Sequence, residues 1–260
     1  MTESVPETAP VRVHREGSVL VVTLDRPHVR NAIDRATAEC IAAAMDELDG
    51  SDELAVGVIC GEGKSFCTGM DLGAFLRGER PTVAERGFAG LVESPPRKPL
   101  IAAVEGHALA GGFEIVLACD LVVASTSGIF GLPEVKRGLV AAGGGLLRLQ
   151  NRVPYNVAME WALTGKFVSA DRAHETGLVN LVVEPGDARA AAMQLAASIA
   201  ENGPLAVAAS KAIITESSDW PRAEAFDRQR EITEPVRSSA DAREGATAFK
   251  EKRAPNWTGR

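Results

Sequence analysis

The chain has 260 residues, 45% of them hydrophobic, which is enough for one large folded unit with a sizeable core and excludes a disordered chain. Lys and Arg number 28 against 35 Asp and Glu, a net charge of -7, the wrong sign for gripping a nucleic-acid backbone, so no nucleic-acid partner is expected. Four His, four Cys and one Tyr leave carboxylates and the backbone amides around 25 glycines as the natural catalytic tools.

In chain order, residues 1–10 carry Glu3 and Glu7 and lack the apolar stretch of a signal peptide. Residues 11–14 and 18–24 read as two strands around Glu16-Gly17, a hairpin. In 35–49, Ala38, Ile41, Met45 and Leu48 form the apolar stripe of an amphipathic helix. Residues 55–60 then read as a buried strand, and 77–86 has the Gly, Pro and charge content of a mobile surface loop. A strand at 100–104, a helix at 111–119 and strands at 121–124 and 178–183 complete an α/β alternation. The last third is helical, at 188–200, 205–217 and 222–236, with Pro204 and Pro221 at helix starts. Residues 1–200 are therefore read as a core holding the site, and 201–260 as a helical region packing on that core and on a neighbouring subunit. Cys40, Cys60, Cys67 and Cys119 lack metal-ligand spacing and read as buried reduced thiols, so no metal is expected. No segment approaches the roughly 18 apolar residues of a membrane span, and a soluble cytoplasmic protein is expected.

Two glycine-rich turns carry the chemical signal. Glycines 61, 63 and 69 permit sharp turns that could leave an N–H near Met70 facing a ligand, although a plain strand-to-helix loop has the same composition. In 104–114, a strand turns through Gly106, Gly111 and Gly112 into a helix whose first N–H groups suit a developing negative charge. The spacing is not that of a phosphate-binding P-loop. Glu114, in the first helical turn, reads either as a compensator of the helix dipole or as an acid–base group. Glu134 lies in the apolar run 130–134, where an acid must be protonated or paired. A helix of about 13 Å followed by a returning strand of about 16 Å can bring Glu134 back beside Glu114.

Together these residues resemble the crotonase superfamily, in particular the enoyl-CoA hydratase/isomerase family. The resemblance runs through Asp25-Arg-Pro, Asn31-Ala, Lys64-Ser-Phe-Cys-Thr-Gly-Met-Asp-Leu72, Gly106-x-Ala108-x-x-Gly-Gly-x-Glu114, Phe130-Gly-Leu-Pro-Glu134, Thr164-Gly165, Ala173-x-x-x-Gly-Leu-Val179 and Glu244-Gly-x-x-Ala-Phe-x-Glu-Lys-Arg253. It implies a spiral of ββα turns with a helical C-terminal trimerisation region, and a homotrimer or dimer of trimers. It implies an oxyanion hole from the amides of Met70 and Gly111 for an acyl-CoA thioester, with Glu114 and Glu134 as the two catalytic acids of a hydro-lyase. Coenzyme A would then be part of the substrate, with no separate cofactor. Its contacts would come from Ala32, Asp71, Leu72 and Gly73, from Arg30 on phosphate, and from Phe249 and Lys252 reaching the site of an adjacent subunit.

Both acids favour an enoyl-CoA hydratase of acyl-CoA degradation. The alternatives are a Δ3-Δ2-enoyl-CoA isomerase, a specialised dehydratase such as one for carnitinyl-CoA, a non-catalytic acyl-CoA binder, and an RNA-binding relative. The last is disfavoured because helix 35–49 has one basic and four acidic residues. Met70, Ala110 and the stretch 141–143 depart from the family pattern at the acyl pocket and the water-binding turn, and pocket depth is expected to depend on Met70, Phe75 and Phe88. His107 and Cys67 read as packing residues, and Trp161, Trp220 and Trp257 as core or subunit contacts. Residues 241–260 carry five basic and three acidic groups, a local reversal of the global charge.

Overall fold

The computed structural model describes residues 9–260; Glu3 and Glu7 of the leading segment lie outside the described residues. Strands β1 (Val11–Glu16) and β2 (Val19–Leu24) form the expected antiparallel hairpin. Helix α1 (Arg35–Gly50) starts where Asp34 accepts the Thr37 N–H at 2.8 Å, and it buries the predicted stripe of Ala38, Ile41, Met45 and Leu48. After β3 (Val56–Gly61) and the short α2 (Leu72–Leu76), the expected mobile loop instead contains a hairpin, β4 (Thr82–Val83) against β5 (Gly87–Phe88).

Two successive ββα turns then build the site. The first is β6 (Leu100–Val104), β7 (His107–Leu109) and α3 (Gly111–Ala118). The second is β8 (Leu121–Ser125), β9 (Ile129–Gly131), a 3-10 turn over Pro133–Arg137, and α4 (Gly145–Arg152). Each turn gives one strand to a large sheet and one to a small sheet, and β6–β8 and β7–β9 both pair in parallel. The chain continues through α5 (Tyr155–Thr164), β10 (Val168–Ser169), α6 (Ala170–Glu175) and β11 (Leu181–Val183). It ends with α7 (Ala188–Ala200), α8 (Pro204–Glu216), α9 (Ala225–Arg237) and α10 (Ala240–Glu251).

The large sheet has the order β1-β2-β3-β6-β8-β11 and is parallel except at β1; the small sheet is β10-β9-β7. Alternation along β2 sends Leu20, Val22 and Leu24 to the core under α1 and α3, while Val19 and Val21 meet Ala192 and Ala196 of α7 on the other face. Both faces of the sheet are thus covered, which is why its central strands read as continuous apolar runs.

Two boundaries differ from the expectation. The strand predicted over 178–183 begins at Leu181, because Leu178 N–H and Val179 N–H both donate to the Ala173 carbonyl in the turn that closes α6. Pro221 lies in a turn in which Glu224 N–H donates to its carbonyl, and α9 starts only at Ala225. Pro204 does occupy the first turn of α8. Among the described residues no helix is long and apolar enough to cross a membrane.

Candidate active site

The loop before Met70 is stitched to the rest by one side chain. Asn31, 1% exposed, accepts the Arg26 N–H at 2.9 Å and donates to the carbonyls of Glu62 and Ser65 at 3.0 and 2.7 Å. Beyond it, Ile33 N–H donates to the Gly69 carbonyl and Asp71 N–H donates to the Ile33 carbonyl, both at 2.8 Å. In a trans peptide the carbonyl and the following N–H point opposite ways. With the Gly69 carbonyl turned to Ile33, the Met70 N–H therefore faces the cavity beyond. Gly69 sits at φ +91, and a Cβ there would stand 3.0 Å from the Gly111 nitrogen, so glycine is required both for its backbone angle and for bringing the two turns together.

The second turn uses the same device. The Ala110 carbonyl accepts N–H groups from Phe113 and Glu114 at 2.9 and 3.0 Å as α3 begins, so the Gly111 N–H of the next peptide points out of the helix start. Among the described residues neither the Met70 nor the Gly111 N–H donates to another backbone carbonyl. Two free amides converging beside a cavity are donors that can take an oxygen on which negative charge develops.

Glu114 is 4% exposed, and its Oε1 accepts the Gly145 N–H at 2.9 Å. Burial pushes its carboxyl above the usual range, opposed by the amides of Gly145 and Gly143 and by the Arg148 charge. Although the sequence puts Glu134 in an apolar run, Glu114 is the more deeply buried of the two. What separates them is hydrogen bonding. Glu134 Oε2 is buried without a partner among the described residues, and both burial and the nearby Glu114 charge push its carboxyl up. Glu114 thus has an amide donor to its carboxyl, whereas the buried Glu134 oxygen has none.

Both acids open onto a cavity of about 540 Å³ that Met70, Ala110, Gly111 and Ala142 also line. Phe88 and Thr82 form one wall, so the small hairpin shapes the pocket; Phe75 lies outside the lining, under the Arg80 guanidinium at 4.5 Å. Of the expected CoA contacts, Arg30 and Leu72 line the cavity and are exposed. The Ala32 carbonyl accepts from the Arg26 guanidinium. The Asp71 carboxylate pairs with Arg26 at 3.0 Å and caps α2 at Ala74 N–H, so any ligand contact there falls to its backbone. Gly73 follows in α2, off the lining. Phe249, 89% exposed, and Lys252 at the end of α10 also lie outside this chain's cavity lining. Sequence reasoning missed Glu93, Arg137 and Phe167 on the lining, and Arg148 behind Glu114. The Cys67 thiol is fully buried and pushed up to about 12 by burial, a wall residue rather than a nucleophile.

Residues 14–260 match the enoyl-CoA hydratase/isomerase family. The chain belongs to that family. Among curated relatives, this family member is 40% identical to the enoyl-CoA hydratase EchA19 of Mycobacterium tuberculosis, over 95% of this chain and 96% of that one. It is 41% identical to a carnitinyl-CoA dehydratase of Salmonella typhi, over 95% and 97%. Among solved structures, the enoyl-CoA hydratase EchA1 of Mycobacterium marinum superposes with a TM-score of 0.95 at 55% identity, covering 97% of this chain and 100% of that one. A carnitinyl-CoA hydratase of Mycobacterium avium superposes at 0.78 with 42% identity, covering 97% and 99%. The ββα spiral described above is the crotonase fold these proteins share.

Proposed function

We propose that this protein is an enoyl-CoA hydratase that adds water reversibly across the 2,3 double bond of a trans-2-enoyl-CoA. The observation that carries the reading is that two carboxyls, one bound by the Gly145 amide and one with an unpartnered buried oxygen, share one cavity with two converging amides. The thioester oxygen takes hydrogen bonds from Met70 and Gly111 N–H, which strengthen as enolate charge gathers there; one such donor is worth about 3–4 kcal/mol of barrier. Glu114 accepts a proton from water as its oxygen adds to C3, and Glu134 gives its proton to C2. The proton gained by Glu114 then passes through solvent to Glu134, and the site is restored with one water consumed. Coenzyme A enters as part of the substrate, so the reaction needs no separate cofactor. Glu114→Gln and Glu134→Gln should each lower crotonyl-CoA hydration by about 10²- to 10⁴-fold. Turnover near that of the unsubstituted enzyme in either variant would end the two-acid assignment, and 3-enoyl-CoA isomerisation surviving Glu134→Gln would favour an isomerase.

Glu93 favours a second reading. Its carboxylate lines the cavity and has no ion-pair partner among the described residues, which suits an acyl group carrying a cation and a specialised dehydratase running the same steps in reverse. Initial rates on crotonyl-CoA and on its 4-trimethylammonio analogue separate the two readings.

We further propose a homotrimer or dimer of trimers in which Phe249 and Lys252 reach the CoA of an adjacent subunit, with 1–200 as core and 201–260 as helical region. A cytoplasmic place in fatty-acid or related acyl-CoA degradation is supported by four free thiols, three of them buried.

A further inference from the structure

Three consecutive glycines, 143–145, run between an anion and a cation. A Cβ on Gly143 would stand 2.6 Å from Glu114 Oε2, and one on Gly145 would stand 2.9 Å from Glu114 Cγ. Those two side-chain positions are filled by the carboxylate itself. A Cβ on Gly144 would stand 2.5 Å from Arg148 Nη1, so the guanidinium folds back over the middle glycine. Arg148 N–H donates to the Gly144 carbonyl at 3.0 Å, and its Nη2 donates to the Val92 carbonyl at 2.5 Å. The side chain therefore straps the turn and the start of α4 to the segment behind β5. Arg148 has no carboxylate within ion-pair distance among the described residues, so its charge is left facing Glu114 through one layer of backbone.

We propose that Arg148 is a positioning residue that keeps Glu114 ionised and aimed at the attacking water through the turn 143–145. The proposal deepens the hydratase reading and rests on Glu114 acting as its base. The charged and titratable groups around the pair are few. Helix α4 brings Arg148 and Arg152, α3 brings Glu114 with Cys119 following it, the 3-10 turn after β9 brings Glu134 and Arg137, and the segment behind β5 brings Glu93, next to Val92, to the cavity wall. Burial weakens the hold of Arg148 on its own proton and Arg152 works the same way, while the Glu114 charge opposes them. A cation beside a carboxylate favours the ionised form, so removing it makes Glu114 harder to ionise.

The test is the pH profile of kcat/KM on crotonyl-CoA for Arg148→Gln, Arg148→Met and Arg148→Lys, with an infrared titration of the Glu114 carboxyl band assigned by its loss in Glu114→Gln. The neutral variants should move the acid limb up by about one pH unit, about tenfold in rate below the limb, while the rate above it changes little. Arg148→Lys should return the limb to its original place, and the infrared midpoint should move with the kinetics. Neutral variants that lose rate equally at every pH, or a lysine variant that behaves like them, would overturn the proposal and leave Arg148 a purely structural strap. Should the enzyme fail to hydrate crotonyl-CoA at all, the hydratase reading falls while the infrared titration still decides the coupling of Arg148 to Glu114.

Discussion

Ala110 holds φ 52 and ψ -128, a backbone conformation that residues with a Cβ rarely adopt and that costs about 1–3 kcal/mol. The surrounding hydrogen bonds enforce it. Ala110 N–H donates to the Gly131 carbonyl at 2.9 Å, and its own carbonyl starts α3, so the peptide between Ala110 and Gly111 has only one orientation left, with the Gly111 N–H outward. Ala110→Gly should keep that orientation and remove the strain, raising stability by about 1 kcal/mol and Tm by ~2–4 °C. A Tm that stays level or falls would show that the neighbouring packing repays the alanine methyl in full. At this scale the meeting of Glu114, Glu134, Met70 and Gly111 at one cavity was legible, because each sits in a short motif whose turn and helix start are written in adjacent residues. Arg148 was not, since nothing near it in the chain distinguishes it from the exposed basic residues; its proposed role rests on a half-buried guanidinium and a carboxylate packed where glycines 143–145 lack side chains.

Helix α8 is tied to the core chiefly by Lys211. Its Nζ donates to the carbonyls of Pro96 and Lys98 at 2.8 and 3.0 Å and to Asp120 Oδ2 at 2.6 Å, and Asp120 also accepts the Leu100 N–H at the start of β6. Lys211→Met removes one charge and leaves a carboxylate and two carbonyls without that donor, a loss of about 2–3 kcal/mol for a partly exposed cluster. Amide exchange in α8 should quicken before that of β6 and β8; equal acceleration throughout would mean that α8 unfolds only with the whole chain. The elements read most surely from sequence are those with a sustained signal, a helical period in α1 and α7 or a continuous apolar run in β2, β3 and β6. Strands β7, β9 and β10 have two or three residues each, too few for a period to register, and α4 opens on glycines that discourage a helical reading. Their pairing comes from the tertiary return of the chain, which composition does not record.

The last three helices present large apolar side chains on the surface of the single chain. Neither α8 nor α9 has a buried residue, and Ile214, Phe226 and Phe249 are 78%, 71% and 89% exposed. A helix is held in a fold mainly by the face it buries, so helices presenting large apolar side chains outward call for a covering surface. The tail is nevertheless firmly placed on its own chain. Asp241, 4% exposed, accepts N–H groups from Thr258 and Gly259 at 2.7 and 2.9 Å, and Trp257 Nε1 donates to the Glu201 carbonyl at 2.8 Å. A placed tail whose Phe249 and Lys252 lie away from its own cavity suits delivery of both residues to a neighbour. Light scattering should therefore give about three or six chain masses. The double change Ile214→Asp with Phe226→Asp should reduce that mass and raise KM for crotonyl-CoA about tenfold, because each dissociated cavity loses contacts supplied by its neighbour. Lys252→Ala should raise KM without changing the mass, separating the contact from the assembly. A monomer with unaltered KM would assign α8–α10 to the single chain alone and remove Phe249 and Lys252 from the binding site.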